Sequence, residues 1–292
     1  MKNVLKSKRF IFGVIGVGLV ALLVACGGGT SQDATEDADG QKVALHGRDG
    51  DREGNSIVTW TPASIAFSIN PGARQDIPVT FTAKQALTDV RIEVNSNVQK
   101  VLTVSPESFA SLAAGQTATV TLTVAPSSTQ KLRELEGMIR VNARKASSSR
   151  PLSVKVTIVA PEIINGVALP PEPPPELNNA TLAGFDTNGN GVRDDIDRLI
   201  ATKFGGQPDA KYATAFAREY QATLLGSPPP NRAAALLQIG RQSCAARGAT
   251  DAMRSFGWRT LIVNTDVRRQ ALQAFNAVLE GYIHRELPSC TN

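Results

Sequence analysis

Thr117-Ala-Thr-Val-Thr-Leu-Thr-Val124 alternates threonine with an apolar residue over eight positions. In an extended chain successive side chains point to opposite faces, so Ala118, Val120, Leu122 and Val124 line one face and the threonines the other. β-Branched residues at most steps suit a pleated, half-buried surface and disfavour a helix. A strand with one apolar face needs a second layer to cover it. Outward from this segment the same pattern recurs. Ala63–Asn70, Asp76–Thr82, Asp89–Asn95 and Val98–Val104 precede it; Met138–Ala143 and Leu152–Val159 follow. Asn70-Pro71-Gly72, Ser105-Pro106 and Ala114-Gly115-Gln116 supply turn chemistry between many of them. Seven or eight short strands in about 100 residues predict an antiparallel β-sandwich over residues 57–160.

Val104-Ser-Pro-Glu-Ser-Phe109, followed by Leu112-Ala-Ala-Gly-Gln116, resembles bacterial immunoglobulin-like envelope modules, some of which are carbohydrate-associated. The stretch holds no cysteine pair, which sets it apart from antibody-type domains. Trp60 and Phe67 are expected in the core; stacking on a sugar is their functional alternative.

Beyond the strands, residues 161–180 read as a proline-rich linker. Pro170-Pro-Glu-Pro-Pro-Pro175 favours polyproline II, at about 3.1 Å per residue a spacer of roughly 19 Å. The period then becomes helical. Ile196, Leu199, Ile200 and Phe204 form one apolar face, ended by Gly205-Gly206. Tyr212, Phe216, Tyr220 and Leu224 form a second. Pro228-Pro-Pro230 breaks that helix, and Asn231 caps the next, which carries Leu236, Leu237, Gly240 and Cys244. Val267, Ala271, Phe275, Val278 and Tyr282 mark a last helix capped by Thr265 or Asp266. The expected fold class is multidomain, all-β plus all-α: an immunoglobulin-like sandwich, then a small helical bundle over 181–292.

Asp186-Thr-Asn-Gly-Asn-Gly-Val-Arg-Asp-Asp-Ile-Asp197 opens that bundle. It resembles EF-hand and dockerin-type calcium loops. The resemblance places Asp186, Asn188 and Asn190 at positions 1, 3 and 5, Gly191 at the sharp turn, the Val192 carbonyl at 7, Asp194 at 9 and Asp197 at 12. Those six oxygen sources imply Ca²⁺, a hard cation that takes about six to eight oxygens. Position 12 is Asp rather than Glu, one methylene shorter. The chain before the loop is proline-rich, so no entering helix is expected, as in a dockerin-like half-hand. An ordinary Asn/Gly turn followed by acidic helix-capping residues is the alternative reading of the same letters.

At the other end, Lys2, Lys6, Lys8 and Arg9 precede an apolar run from Phe10 to Val24. Fifteen residues are short of the ~20 a transmembrane helix needs and fit a signal peptide spanning 1–25. Leu23-Val24-Ala25-Cys26 resembles a bacterial lipobox, which implies acylation of Cys26 as the first mature residue. Gly27, where an Asp resembles an inner-membrane retention signal, implies the outer membrane, facing either the periplasm or the surface. Residues 26–56, rich in Gly, Asp and Ser, read as a flexible tether. Four of the basic charges behind the formal net charge of +5 lie in the signal segment. What is left is nearly neutral and offers no polycation for nucleic acid.

Cys244 and Cys290 form an even pair in an exported chain, the setting in which disulfides persist. The two histidines, His46 and His284, fall in the tether and near the last helix end, so a histidine-based triad is hard to assemble. Ser128-Thr-Gln-Lys131 matches the S-x-x-K of penicillin-interacting enzymes without its companion motifs. The functional expectation is a non-enzymatic, calcium-binding, lipid-anchored envelope protein with an envelope-protein or glycan partner. A structural spacer or assembly subunit is the second reading, and a carboxylate-dependent glycan-active enzyme the third.

Overall fold

The computed structural model describes residues 56–95, 97–144, 150–281 and 290. The signal segment, Cys26, His46, Tyr282 and His284 lie outside the described residues. Nine strands build two facing sheets around one core. The first, in spatial order, holds β1 (Val58–Thr61), β3 (Gln75–Ala83), β7 (Thr117–Val124) and β5 (Leu102–Ser105). The second holds β2 (Ser64–Ile69), β9 (Leu152–Ile158), β8 (Arg133–Asn142), β4 (Leu87–Val94) and β6 (Ser108–Leu112). The threonine alternation fulfils its pattern: Ala118, Val120, Leu122 and Val124 are all buried. Ile77 stands opposite Leu122, and Val79 opposite Val120, in the antiparallel pairing of β3 with β7. Such facing aliphatic pairs contribute roughly 0.2–1 kcal/mol each beyond burial. Trp60 and Phe67 are core residues, each 5% exposed.

One expectation needs correcting. The sandwich is not wholly antiparallel, because β2 pairs parallel with β9, Ser64 opposite Ser153 through Ile69 opposite Ile158. Only two residues separate β1 from β2, so the chain keeps its heading as it passes from one sheet to the other. Period-two alternation encodes which way a side chain faces and says nothing of strand direction. The run Val98–Val104 also divides. Val98 and Val101 are buried from a turn, and the strand begins at Leu102.

Residues 161–175 hold a small hairpin, β10 (Glu162–Ile164) with β11 (Val167–Leu169). Asn165 and Gly166 supply its two positive-φ positions (48° and 80°), as a tight hairpin turn requires. The helices are α1 (Pro175–Asn178), α2 (Asp194–Phe204), α3 (Ala210–Leu225), α4 (Arg232–Ala245), α5 (Asp251–Ser255), α6 (Trp258–Ile262) and α7 (Asp266–Ala277). Asn165 reaches α2, its Nδ2 donating to the Ala201 carbonyl at 2.9 Å, near the end where helix carbonyls lack partners. Arg198 of α2 donates to Glu162, Glu172 and the Pro170 carbonyl at 2.6, 2.6 and 2.8 Å. The proline-rich stretch is thereby bonded along α2.

Asn231 caps α4 by accepting from the Ala234 N–H, and Thr265 caps α7 by accepting from the Arg268 N–H. A second core joins Ile196, Ile200 and Phe204 to Ala213, Leu224, Met253 and Trp258. Phe204, Phe216 and Phe256 ring Trp258 at centroid distances of 6.0, 5.9 and 5.0 Å. Two helices keep part of their expected stripe, Phe275 and Ala271 on α7 and Gly240 on α4, and each turns one expected member outward. α7 buries Arg268, Leu272 and Phe275 while Val267 is 46% exposed; α4 buries Ala235 and Gly240 while Leu237 is 57% exposed. Cys244 and Cys290 form a disulfide, fastening residue 290 to the last turn of α4. Among the described residues no helix is long and apolar enough to cross a membrane.

Candidate metal centre

The segment 186–193 makes a tight loop because Gly189 and Gly191 take positive φ, 68° and 82°. Asp186 organises it: Oδ1 accepts the Asn190 N–H at 3.1 Å and Oδ2 the Gly191 N–H at 2.9 Å. Asn188 Oδ1 accepts the Asn190 N–H at 3.1 Å, and Asn190 Oδ1 accepts the Val192 N–H at 2.7 Å. Val192 is 1% exposed and anchors the loop in the helical core. Its N–H bond to Asn190 fixes the peptide that follows position 6.

Two amides meet one carboxylate. Asn188 Nδ2 and Asn190 Nδ2 donate to the same Asp197 oxygen, at 3.0 and 2.6 Å. Burial raises the Asp197 pKa; the two amide bonds and Arg218 lower it, and Asp186 raises it again. Of the residues picked from sequence, Asp186, Asn188, Asn190 and Asp197 therefore come together. Asp194 is turned elsewhere. Its two oxygens accept from the Thr187 N–H (3.0 and 3.3 Å) and from the Thr187 hydroxyl (2.8 Å), and the residue is 1% exposed. Desolvation is the main cause that lifts its pKa to about 7, against the Thr187 bonds, with Asp186 and Asp197 adding repulsion. No group of three or more His, Cys, Asp and Glu side chains is arranged to hold a metal ion among the described residues. The convergent set here is two carboxylates and two amides, all oxygen donors once the amides present Oδ1.

Residues not legible as functional pack around the loop. Arg193, fully buried, clasps Asp195 through two bonds of 2.9 Å and donates to the Ile262 carbonyl at 2.8 Å. Arg268, also fully buried, donates to the Asn178, Thr181 and Leu182 carbonyls and to the Asn179 and Asn264 side chains. Its desolvation, with repulsion from Arg193, lowers its pKa to about 10, so it stays charged at neutral pH. Gly184 passes between them: a Cβ there would lie 2.6 Å from Arg193 Cδ and 2.8 Å from Arg268 Nη2. Arg218 on α3 donates to the Asn190 carbonyl at 2.7 Å.

The loop also meets the sandwich. Phe185 packs edge-on against Phe67, centroids 5.5 Å apart, and belongs to the sandwich core. Gln75 Oε1 accepts the Asp186 N–H at 3.3 Å, and the Arg74 N–H donates to the Thr187 carbonyl at 3.1 Å.

No known family matches the chain, and no curated protein does. Among solved structures, a family 123 glycoside hydrolase from Clostridium perfringens aligns at 12% identity and a TM-score of 0.28, over 40% of this chain and 24% of its own. The chaperone DraB of E. coli aligns at 18% identity and a TM-score of 0.25, over 35% of this chain and 54% of its own. A Niemann-Pick type C2 protein from the Japanese carpenter ant gives 14% identity and a TM-score of 0.26, over 36% and 90%. The chain thus spans about a quarter and about half the length of the first two. Superpositions this slight transfer neither fold family nor activity.

Proposed function

We propose that this chain is a lipid-anchored bacterial envelope protein whose loop 186–197 binds one calcium ion, and that it serves as a non-enzymatic interaction module. The observation that carries the reading is the convergence of Asn188, Asn190 and Asp197 beside Asp186. Two amide N–H₂ groups donate to an Asp197 oxygen that a cation would otherwise neutralise. Rotating each amide to present Oδ1 gives calcium the hard oxygen set it prefers. Asp186, Asn188, Asn190 and Asp197 would hold the ion with the Val192 carbonyl, and Asp194 would join only on leaving Thr187. The ion would supply positive charge against the Asp186–Asp197 repulsion. The sandwich is assigned to the immunoglobulin-like envelope modules on its turn residues, with its parallel β2–β9 pair as a departure. An acid/base role for the carboxylates has less support, because Asp194 and Asp195 are occupied by Thr187 and Arg193.

Calorimetric titration with calcium, paired with melting in chelator and in calcium, tests the proposal. The expected affinity is weak, on the order of 10⁻⁵ to 10⁻³ M. Calcium at 100 times its dissociation constant should stabilise the protein by about 2.7 kcal/mol, and Asp186→Ala should abolish the gain. Identical melting with and without about 10 mM calcium, roughly ten times the weakest of these affinities, would overturn it. Intact-mass measurement of the membrane fraction checks the anchor: the mature chain should begin at an acylated Cys26.

A further inference from the structure

The structure assigns to the loop a second task, which rests on the calcium reading: we propose that cation occupancy locks the sandwich to the helical half through Gln75 and Arg74, with Gln75 the positioning residue for Asp186.

Three consecutive residues, Phe185, Asp186 and Thr187, each engage a different residue of the sandwich. Phe185 is 3% exposed and completes the apolar core beside Phe67. The Asp186 N–H donates to Gln75, 111 positions earlier in the chain. The Thr187 carbonyl accepts from the Arg74 N–H. Gln75 is itself 7% exposed, and its Nε2 donates to the Asp76 carbonyl at 2.8 Å, which turns Oε1 toward Asp186. That orientation is determined by its own partners, so Gln75 presents a fixed acceptor to the backbone of the first candidate ligand. Thr187 holds Asp194 through its N–H and hydroxyl while its carbonyl holds Arg74. The same short segment therefore shapes the ion site and the seam.

Binding and docking in one segment are linked in both directions. If calcium favours the docked arrangement by some factor, docking favours calcium by the same factor. Without the ion, Asp186 and Asp197 repel, and the strain falls on residues that also make the seam. With the ion, the loop is held in the geometry that Gln75 and Arg74 recognise. Residues that orient metal ligands from outside the coordination sphere typically change metal affinity by about 10- to 100-fold when lost. Gln75 acts through a single backbone hydrogen bond, which puts its effect near the lower end.

The test uses the full chain and calcium alone as probe, with amide hydrogen exchange and titration calorimetry. Calcium should slow exchange at Asn190 and Gly191 in the loop and also at Arg74, which lies in the sandwich. Gln75→Leu should weaken calcium binding by about 10-fold, and Gln75→Glu, which keeps the acceptor oxygen but loses the Nε2 bond that aims it, should fall between Gln75→Leu and the parent. Trp60 fluorescence, read in a Trp258→Phe background, verifies that each variant retains its sandwich. Binding with loop protection but no change at Arg74, and unaltered affinity in Gln75→Leu, would overturn the lock and leave the calcium site standing. Absence of both heat and protection in the parent would overturn the calcium reading and the lock with it.

Discussion

Between β1 and β9 the buried side chains are almost all hydrocarbon, with Asn70 and Gln75 the polar exceptions and no buried charge among the described residues. Between α1 and α7 the buried set includes Arg193, Arg268, Asp194, Asp197 and Asp209. The two halves are thus held by different physics. Hydrocarbon burial is non-directional, at roughly 25 cal/mol per Å², and it tolerates small displacements. A buried guanidinium is stable only while each donor finds its acceptor, because an unpaired buried charge is expensive. The sandwich should therefore lose stability by degrees, and the helical half at a few specific points. The second half is also the one whose stability should depend on pH and on ions.

The chain has two tryptophans, and the structure places Trp60 in the first core and Trp258 in the second. Trp60→Phe and Trp258→Phe variants give each half its own fluorescence report, and the contrast can be attacked with them. The largest effect is expected from Arg268→Met, which strands the carbonyls of Asn178, Thr181 and Leu182. Denaturant unfolding followed by Trp258 should show a loss of about 3–5 kcal/mol. Leu122→Ala should show about 2–5 kcal/mol in the Trp60 signal. Equal losses in both signals for both variants would mean that the halves unfold as one and the contrast has no thermodynamic content.

Next in size is a pH effect in chelator. The Asp194 carboxyl has its folded pKa raised from 3.8 to about 7. The folded state therefore holds its proton longer than the unfolded chain does. The associated stability is fully present below pH ~4 and is lost as pH rises through about 7, on the order of 4 kcal/mol at most. Urea unfolding at a series of pH values should show this decline in the Trp258 signal. Asp194→Asn should flatten it. A decline of similar size in the Trp60 signal would locate the titrating group elsewhere.

Reduction of Cys244–Cys290 comes third. Melting in reductant should fall by an amount equivalent to about 2–4 kcal/mol and in the helical half alone. The smallest expected effect sharpens the boundary between the halves. Asn165→Gly keeps the positive-φ turn but removes the bond to the Ala201 carbonyl. It should weaken the helical half by about 1 kcal/mol, with the sandwich unmoved.

Legibility in the sequence follows the same division. Thr117–Val124 could be placed as a strand with its buried face named because period two is a local property. The caps at Asn231 and Thr265 and the stop after Phe204 were equally local, each set by side chain and backbone within a few residues. β6 was not legible, since an edge strand with most positions exposed has no alternation to read. Nor was the parallel direction of β2, for alternation carries no heading. Val267, at the start of α7, was misplaced for a sharper reason, while Ala271 and Phe275 face the core as expected. The α7 sequence offers Val267 to the core, yet the helix turns Arg268 inward because carbonyls 86 to 90 residues earlier in the chain await its donors.

The loop divides the same way. Sequence alone determined its turn, since glycines at 189 and 191 permit the positive φ that curls Asp186 onto two backbone amides. It also determined which side chains carry oxygen. Only the tertiary structure decided how they are used: Asp194 is drawn to Thr187 and buried, while Asp186 is steadied by Gln75 from a strand of the sandwich. Those choices depend on which polar groups lose water together when distant segments pack. Desolvation at a seam is a property of two surfaces, and a single stretch of sequence contains only one of them.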